Sequence, residues 1–189
     1  MKTRFTNVEV GQGSLLISEP FLADPYFKRT VILLSEHSKD GSIGFILNKL
    51  TDIKLSEAVM DFPEQDFPVY FGGPVQMDTL HYIHKIGDGL PGSKQINGNT
   101  YWGGDFDILK DMIDMGHIKP GDIRFFVGYS GWTPDQLGEE LHSKSWIVTD
   151  LKENIAFNEN PKGLWGQVLR SLGDEYAIIA NFPENPSLN

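Results

Sequence analysis

The first third of the chain alternates short apolar runs with polar turns, a pattern typical of β-strands. We expect strands at residues 13–18, 29–36 and 42–48, since each run is rich in Val, Ile, Leu or Phe. Asp40 and Gly41 stand between the last two runs, and this pair favours the tight turn of a hairpin. These two strands are therefore predicted to pair with each other.

Helical spacing of apolar residues is found in the second half. One apolar stripe begins after Asp105, a favourable N-cap residue, and ends before Gly116. A second helix is predicted over 161–172, and a short one over 53–60. The remaining apolar runs predict further strands at residues 69–71, 79–86, 93–96, 100–102, 146–149 and 176–180. Asn97 and Gly98 stand between two of these runs and predict a second hairpin.

Residues 123–141 carry the strongest local signals and predict strand, turn and helix in that order. Ile123 to Val127 is a short apolar strand, and Gly128 and Gly131 bracket the predicted turn. The helix is expected from Pro134 to about His142, because proline is favourable at the first helical position.

The start of that helix has the residues of a capping box and a hydrophobic staple. Thr133 is the predicted N-cap, and Gln136 lies where its side chain can reach back to the backbone of Thr133. Trp132 precedes the cap and Leu137 follows at the staple position. The indole should therefore pack where the chain enters the helix.

The chain contains the run Gly128-Tyr-Ser-Gly-Trp-Thr-Pro-Asp-Gln-Leu137, followed by Glu-Glu-Leu141 and Ser145-Trp146. This run closely resembles the signature of the YqgE/AlgH family of bacterial proteins. The resemblance runs from about residue 11 to about residue 173. Its other blocks, in matching order, are 13–27, 29–37, 44–48 and 71–75.

This resemblance implies an α+β fold: a single domain with a strongly curled, mixed or antiparallel sheet that forms a partial barrel, flanked by about four helices. The length of 189 residues suits one domain over 1–189. We expect its core at about 11–180 and an irregular tail at 181–189. Some members of the family are labelled transcriptional regulators, although the family has no recognised DNA-binding motif.

The net charge of −10 opposes non-specific attraction to nucleic acids and anionic membranes. The 16 Lys and Arg residues are scattered, and Lys28–Arg29 is the only adjacent pair, but folding can still gather scattered cations on one face. No export signal and no apolar run of about 20 residues is visible. Together with the absence of cysteine, these features predict a cytoplasmic protein.

Ser130 invites comparison with the serine nucleophile of α/β-hydrolases, which lies on a strand-to-helix turn. That motif needs glycine two residues after the serine, where this chain has Trp132. In the family the Ser130 position is often alanine. A catalytic serine would also need His117 or His142 beside it, oriented by a carboxylate. The sequence therefore favours a plain turn over a hydrolase site.

Two other kinds of site are weighed against simpler interpretations. The N-terminus of the helix at 134–142 could hold an anion, but Thr133 and Gln136 already occupy its polar groups and Asp135 adds a negative charge. His81 and His84 lie on a predicted strand, where they face opposite sides and make a poor metal pair. The sequence predicts no metal ligand and no cofactor.

The polar and glycine positions at strand ends outline one candidate site, if folding brings them together. The leading hypothesis is a non-enzymatic binding or regulatory protein that acts through a protein partner or a small anionic ligand. The alternatives are a regulator that contacts DNA directly and an enzyme of hydrolase type around Ser130. The candidate residues are Asn48, Gly72, Gly73, Pro74, Gly128, Tyr129, Ser130, Gly131, Trp132, Thr133 and Gln136.

Overall fold

The structure, a computed structural model, describes residues 8–152 and 154–183. The described strands are β1 (Ser14–Ser18), β2 (Val31–Ser38), β3 (Gly41–Ile46), β4 (Leu50–Lys54), β5 (Pro68–Phe71), β6 (Val75–His84), β7 (Lys94–Asn97), β8 (Thr100–Trp102), β9 (Ile123–Trp132) and β10 (Trp146–Asp150). The described helices are α1 (Leu55–Ala58), α2 (Phe106–Asp114), α3 (Gln136–His142), α4 (Pro161–Ser171) and α5 (Asp174–Ala180). Short 3₁₀ turns occur at Gly87–Gly89 and Pro120–Asp122.

The strands join one sheet with the order β10-β1-β2-β3-β9-β6-β8-β7. Strand β5 lies off this path, because it pairs in parallel with β9 and antiparallel with β4. All other strand pairs in the described residues are antiparallel. The sheet curls into a half-barrel, which confirms the predicted α+β fold.

Strand β9 runs through the centre of the sheet and changes one of its partners halfway along. Residues 125–127 pair with β5, whereas residues 130–132 pair with β3. Gly128 lies between these halves with a φ of 66°, in the left-handed region that glycine tolerates. This local bend lets one continuous strand join two parts of the curled sheet.

Helices cover both faces of the sheet through three buried clusters. Phe125 and Phe126 enter different clusters, since successive strand residues face opposite sides of a sheet. Phe126 belongs to the cluster that contains residues of α4 and α5. Phe125 belongs to the cluster that contains residues of α1 and α2. The third cluster joins α3 to the sheet through Leu137, which is buried with Trp132 and Trp146. Burial of Trp132 and Leu137 together confirms the packing expected of the staple.

Most local predictions are confirmed. Strands β2 and β3 form the hairpin around Asp40–Gly41, and β7 and β8 form a second one. Asp105 caps α2, because its carboxylate accepts from the backbone N–H groups of Asp107 and Ile108 at 3.0 Å each. Helix α4 ends one residue before the predicted boundary.

Two boundaries predicted within residues 123–141 are wrong. The turn expected at Gly128 to Gly131 is strand, because β9 continues to Trp132 and pairs there with β3. Hydrogen bonding with a strand distant in sequence overrides the local turn preference of two glycines. Helix α3 begins at Gln136 rather than Pro134, and its N-cap is Asp135 rather than Thr133.

The last predicted strand, 176–180, is also wrong, because these residues belong to α5. Two acidic residues in the first turn favour a helix start there. Tyr176 and Ala180 are four residues apart and buried together, whereas Ile178 between them is 64% exposed. A short apolar run does not distinguish these alternatives by itself. The predicted tail extends beyond the described residues, which end at 183.

Candidate functional site

The signature segment, residues 128–137, packs against a glycine pair at the end of β5. A Cβ atom on Gly72 would lie 2.3 Å from the carbonyl oxygen of Gly128. One on Gly73 would lie 2.3 Å from the carbonyl carbon of Tyr129. Only residues without side chains allow this backbone approach. The structure therefore places Gly72 and Gly73 beside the signature segment.

Ser130 lies within this contact and is fully buried. Its hydroxyl donates to the carbonyl oxygen of Gly72 at 3.0 Å. Within residues 8–152 and 154–183, neither His117 nor His142 hydrogen-bonds to this hydroxyl. The Ser130 side chain therefore joins β9 to the end of β5 and is not exposed to a substrate in solvent.

Glu140 of α3 binds the side chains of the signature segment, a role that the sequence analysis missed. One carboxylate oxygen accepts from the indole N–H groups of Trp132 and Trp146, at 2.9 and 2.7 Å. The other accepts from the amide of Gln136 at 2.9 Å. Buried indole N–H groups need acceptors, and this need is the signal that could have pointed to Glu140. The carboxylate holds α3 against the sheet.

A negatively charged side chain stands at the N-terminus of α3. Asp135 places a carboxylate at the N-cap position, and Gln136 Oε1 accepts from the backbone N–H of Thr133 at 3.0 Å. The predicted capping box included this bond from the Thr133 backbone to the Gln136 side chain, and the structure shows it. The helix has only seven residues, and the Asp135 carboxylate would repel an anionic ligand at its N-terminus.

A groove of about 430 Å³ lies beside the signature segment. Tyr129, Gly131, Trp132 and Thr133 line part of it, and the remaining lining residues come mainly from β2, the following turn and β3. Its ionisable lining residues are Glu36 and Asp40, together with the Tyr129 phenol. Four of the predicted site residues therefore share an open, acidic groove.

Asn48 lines a different cavity from these four residues. Its side-chain oxygen accepts from the backbone N–H of Val31 at 2.9 Å, and its amide donates to the carbonyl of Arg29 at 2.8 Å. These bonds hold the start of β2 against the end of β3. Pro74 precedes β6 and lines neither cavity.

The cavity at Asn48 gathers five cations, and we call it the cationic cleft. Its volume is about 470 Å³. Its charged lining residues are Lys28 and Arg29 before β2, Lys49 after β3, and Lys162 and Arg170 on α4. No Asp or Glu of residues 8–152 and 154–183 lines it. The remaining lining residues are Asn48, Gly163, Trp165, Gly166 and Ala180.

Arg29 lies at the centre of the interactions in the cleft. Its guanidinium carbon is 4.7 Å from the centre of the Trp165 ring, and one guanidinium nitrogen donates to the carbonyl of Phe182. Its Nε is buried and, among the described residues, has no hydrogen-bond acceptor. The backbone of Arg29 has a φ of 50°, an uncommon value for a residue with a side chain.

The other cations of the cleft have few partners. Lys49 Nζ donates to the carbonyls of Pro25 and Tyr26 at 2.9 and 2.8 Å. Burial lowers the pKa of Lys49, and the nearby Asp24 opposes this shift. Arg170 has a weak contact of 3.4 Å with Asn181. Within the described residues, no carboxylate lies within ion-pair distance of any cleft cation.

The histidines of β6 have structural contacts instead of metal-binding geometry. His84 is fully buried; its Nε2 donates to the carbonyl of Gly103 at 2.8 Å, and its Nδ1 accepts from the N–H of Ile86 at 3.2 Å. Burial lowers the pKa of His84. Across the described part of the chain, no three His, Asp or Glu side chains form a group that could hold a metal ion. No described helix is long and apolar enough to cross a membrane.

Comparison with known proteins decides the family. A profile of the AlgH-like family matches residues 15–177. The chain belongs to the YqgE/AlgH family. A UPF0301 protein of Chlorobium limicola is 44% identical over 177 residues, which cover 94% of this chain and 95% of that protein. A UPF0301 protein of Bacteroides fragilis is 41% identical over 189 residues, covering 100% of this chain and 96% of that one.

Solved structures show the same YqgE/AlgH architecture. The solution structure of AlgH from Pseudomonas aeruginosa has a TM-score of 0.71 at 26% identity, covering 91% of this chain and 94% of that one. The crystal structure of a Corynebacterium diphtheriae protein has a TM-score of 0.75 at 21% identity, covering 93% and 94%. The latter likeness concerns the fold alone.

Proposed function

We propose that this YqgE/AlgH protein is a non-enzymatic binding protein whose ligand is a small anion held in the cationic cleft. The observation that carries the proposal is the charge of the cleft. Among the described residues, five cations and no carboxylate line one cavity, in a chain whose net charge is −10. Random placement of charges on an acidic protein would bring carboxylates into such a cavity.

The donors of the cleft suit oxyanions. Arginine and lysine side chains make charge-assisted hydrogen bonds to carboxylate and phosphate oxygens. Lys49 uses its ammonium for two backbone carbonyls, which leaves one N–H for a ligand. Cations held in place before binding lose little side-chain entropy when the ligand arrives.

The state of the signature segment supports a binding role over a catalytic one. A nucleophile must be reachable by the substrate and paired with a base. Ser130 is fully buried, and its hydroxyl is bound to the Gly72 carbonyl. The groove beside the segment presents Glu36 and Asp40, which would repel an anion. The cleft is therefore where we place the anionic ligand.

Isothermal titration calorimetry with inorganic phosphate and sulfate tests this function. The ionic strength should be about 0.01 M, where the Debye length is about 30 Å and attraction to the cleft is little screened. The double variant Lys28→Gln/Arg170→Gln removes one cation from each wall. We expect it to weaken binding at least tenfold, because both walls contribute donors.

The matched control is Lys39→Gln/Lys54→Gln, which changes the net charge equally at exposed positions outside the cleft. It should bind phosphate as the unchanged protein does. Equal weakening by both double variants would show that binding follows net charge, and the proposed function would then be wrong. No heat of binding for either anion would also contradict it.

A further inference from the structure

Resting on the proposed function, we infer that the ligand of the cationic cleft carries two phosphate groups, as a diphosphate or bisphosphate ester of metabolite size. The charge of the cleft is the first reason. Five like charges share a cavity of about 470 Å³. One carboxylate would neutralise one of these positive charges, whereas the negative charges of two phosphate groups would neutralise most of them. The cavity is also large enough for a ligand beyond a single phosphate ion.

The arrangement of cations along α4 is the second reason. Lys162, Gly166 and Arg170 are spaced by four residues and therefore lie on one face of the helix. The guanidinium of Arg170 folds back over Gly166, since a Cβ atom there would lie 3.1 Å from its Nη1. Lys162 belongs to the first turn of α4, and the Arg170 guanidinium lies over Gly166, whose backbone is about 6 Å farther along the axis. Two phosphate groups of one ligand match two such positions.

Gly166 is the third reason, because its missing side chain makes room for the Arg170 guanidinium. Glycine destabilises the interior of a helix relative to alanine. At Gly163 a side chain would collide with the capping Asn160, at 2.7 Å from its Nδ2. At Gly166 the atoms near an added Cβ belong to the flexible Arg170 guanidinium alone. The missing side chain thus lets the Arg170 guanidinium lie against α4 on the wall of the cleft, where a ligand lying along that wall would meet it.

The opposite wall completes the binding site. Lys28, Arg29 and Lys49 come from the segments that flank β2 and β3. Arg29 is fixed by its contacts with Trp165 and Phe182, so its position does not depend on a ligand. One phosphate group would lie between Arg29 and Arg170, and the second between Lys49 and Lys162.

The test is isothermal titration calorimetry with pyrophosphate, inorganic phosphate and succinate, at the same low ionic strength. Succinate is the control for a ligand with two carboxylates. We expect pyrophosphate to bind at least tenfold more tightly than either other anion. Arg170→Gln and Lys162→Gln should each weaken pyrophosphate binding more than phosphate binding, because a single phosphate needs one of the two positions.

The variant Gly166→Leu should abolish pyrophosphate binding by displacing the Arg170 guanidinium from the α4 wall. Gly166→Ala is its matched control, because its single methyl group requires only a small shift of that flexible guanidinium. Both replacements favour the helix, so circular dichroism and thermal unfolding should show a folded protein. Loss of binding in the leucine variant is then a local effect. Unchanged pyrophosphate binding in Gly166→Leu would overturn the inferred site.

The outcomes separate this inference from the proposed function. Equal affinity for phosphate and pyrophosphate, both lowered by Lys28→Gln/Arg170→Gln, would leave a small-anion site and overturn the two-phosphate ligand. Tighter binding of succinate than of pyrophosphate would also leave a small-anion site and overturn the two-phosphate ligand. Absence of binding for all three anions would overturn both the proposed function and the two-phosphate ligand. Tight pyrophosphate binding that the Gly166 and Arg170 variants remove supports both.

Discussion

At the residue scale, the side chains of the signature segment stabilise the fold. Glu140 accepts hydrogen bonds from Trp132, Trp146 and Gln136, and thereby links α3, β9 and β10. Both indoles are buried, and the Glu140 carboxylate is the acceptor that their N–H groups share. Leaving buried donors without acceptors costs about 1–3 kcal/mol each.

Replacing Glu140 with alanine should therefore destabilise the protein by about 3 kcal/mol. Urea unfolding followed by tryptophan fluorescence measures this change. The neighbouring Glu139→Ala is the control, since Glu139 is exposed and its replacement should change stability by less than about 0.5 kcal/mol. Equal denaturation midpoints for the two variants would refute the structural role of Glu140.

His84 makes the stability of the fold sensitive to pH. Burial lowers its pKa below the ordinary value of 6.5, and protonation would remove the acceptor for the Ile86 N–H. Between the two pKa values the unfolded chain binds more protons than the folded one. The contribution of His84 is therefore complete above about pH 6.5 and is lost as the pH falls below that value.

We expect the urea midpoint to decrease between pH 7.5 and pH 5.5, and to decrease less in His84→Gln. Part of the decrease should remain in that variant, because burial also lowers the pKa of His81. Urea unfolding of both proteins at the two pH values measures the difference. Identical decreases would show that His84 does not carry this dependence.

At the scale of elements, the junction of β5 with β9 depends on close contact between two backbones. Gly72 N–H donates to the carbonyl of Val127 at 2.9 Å, and Ile46 N–H donates to the carbonyl of Gly72 at 3.0 Å. Gly73 continues with a φ of 152°, where L side chains are strained. This glycine pair connects three strands of the half-barrel without any side chain between them.

Gly73→Ala should destabilise the protein by more than about 3 kcal/mol, because its Cβ would meet backbone atoms of Tyr129 and Ser130 at 2.3–2.4 Å. Gly138→Ala in α3 is the control, since an added Cβ there has no atom within 4 Å. It should stabilise the protein by up to about 1 kcal/mol. Thermal or urea unfolding measures the stability of the two variants and of the unchanged protein. Near-wild-type stability of Gly73→Ala would contradict this account of the junction.

At the scale of the whole molecule, the fold separates charge of opposite sign. The cationic cleft lies where the start of β2 and the end of β3 meet α4, while the groove at the signature segment presents Glu36 and Asp40. An anion approaching this acidic protein is repelled at long range and attracted at the cleft. Affinity for a small anion should consequently depend on local geometry more than on net charge.

Sequence patterns predicted the two hairpins, helices α2 and α4, and the packing of Trp132 with Leu137. These features depend on residues close together in the chain. The family motifs led to the curled sheet, and the comparisons confirm that family. The same patterns pointed to the signature segment as a candidate site, and the structure places four of its predicted residues in one groove.

The sequence by itself therefore determined the local elements and the family, because capping, periodicity and turn chemistry act over a few residues. Only the tertiary structure decided that residues 128–131 are strand. Tyr129 pairs with Val75 of β6, and Ser130 and Gly131 pair with residues of β3 that lie more than eighty positions earlier. Packing against α4 likewise made residues 174–180 a helix. The cationic cleft joins Lys28 to Arg170 across most of the chain. Scattered charges become a binding site when the fold brings distant segments together, and no local pattern contains that information.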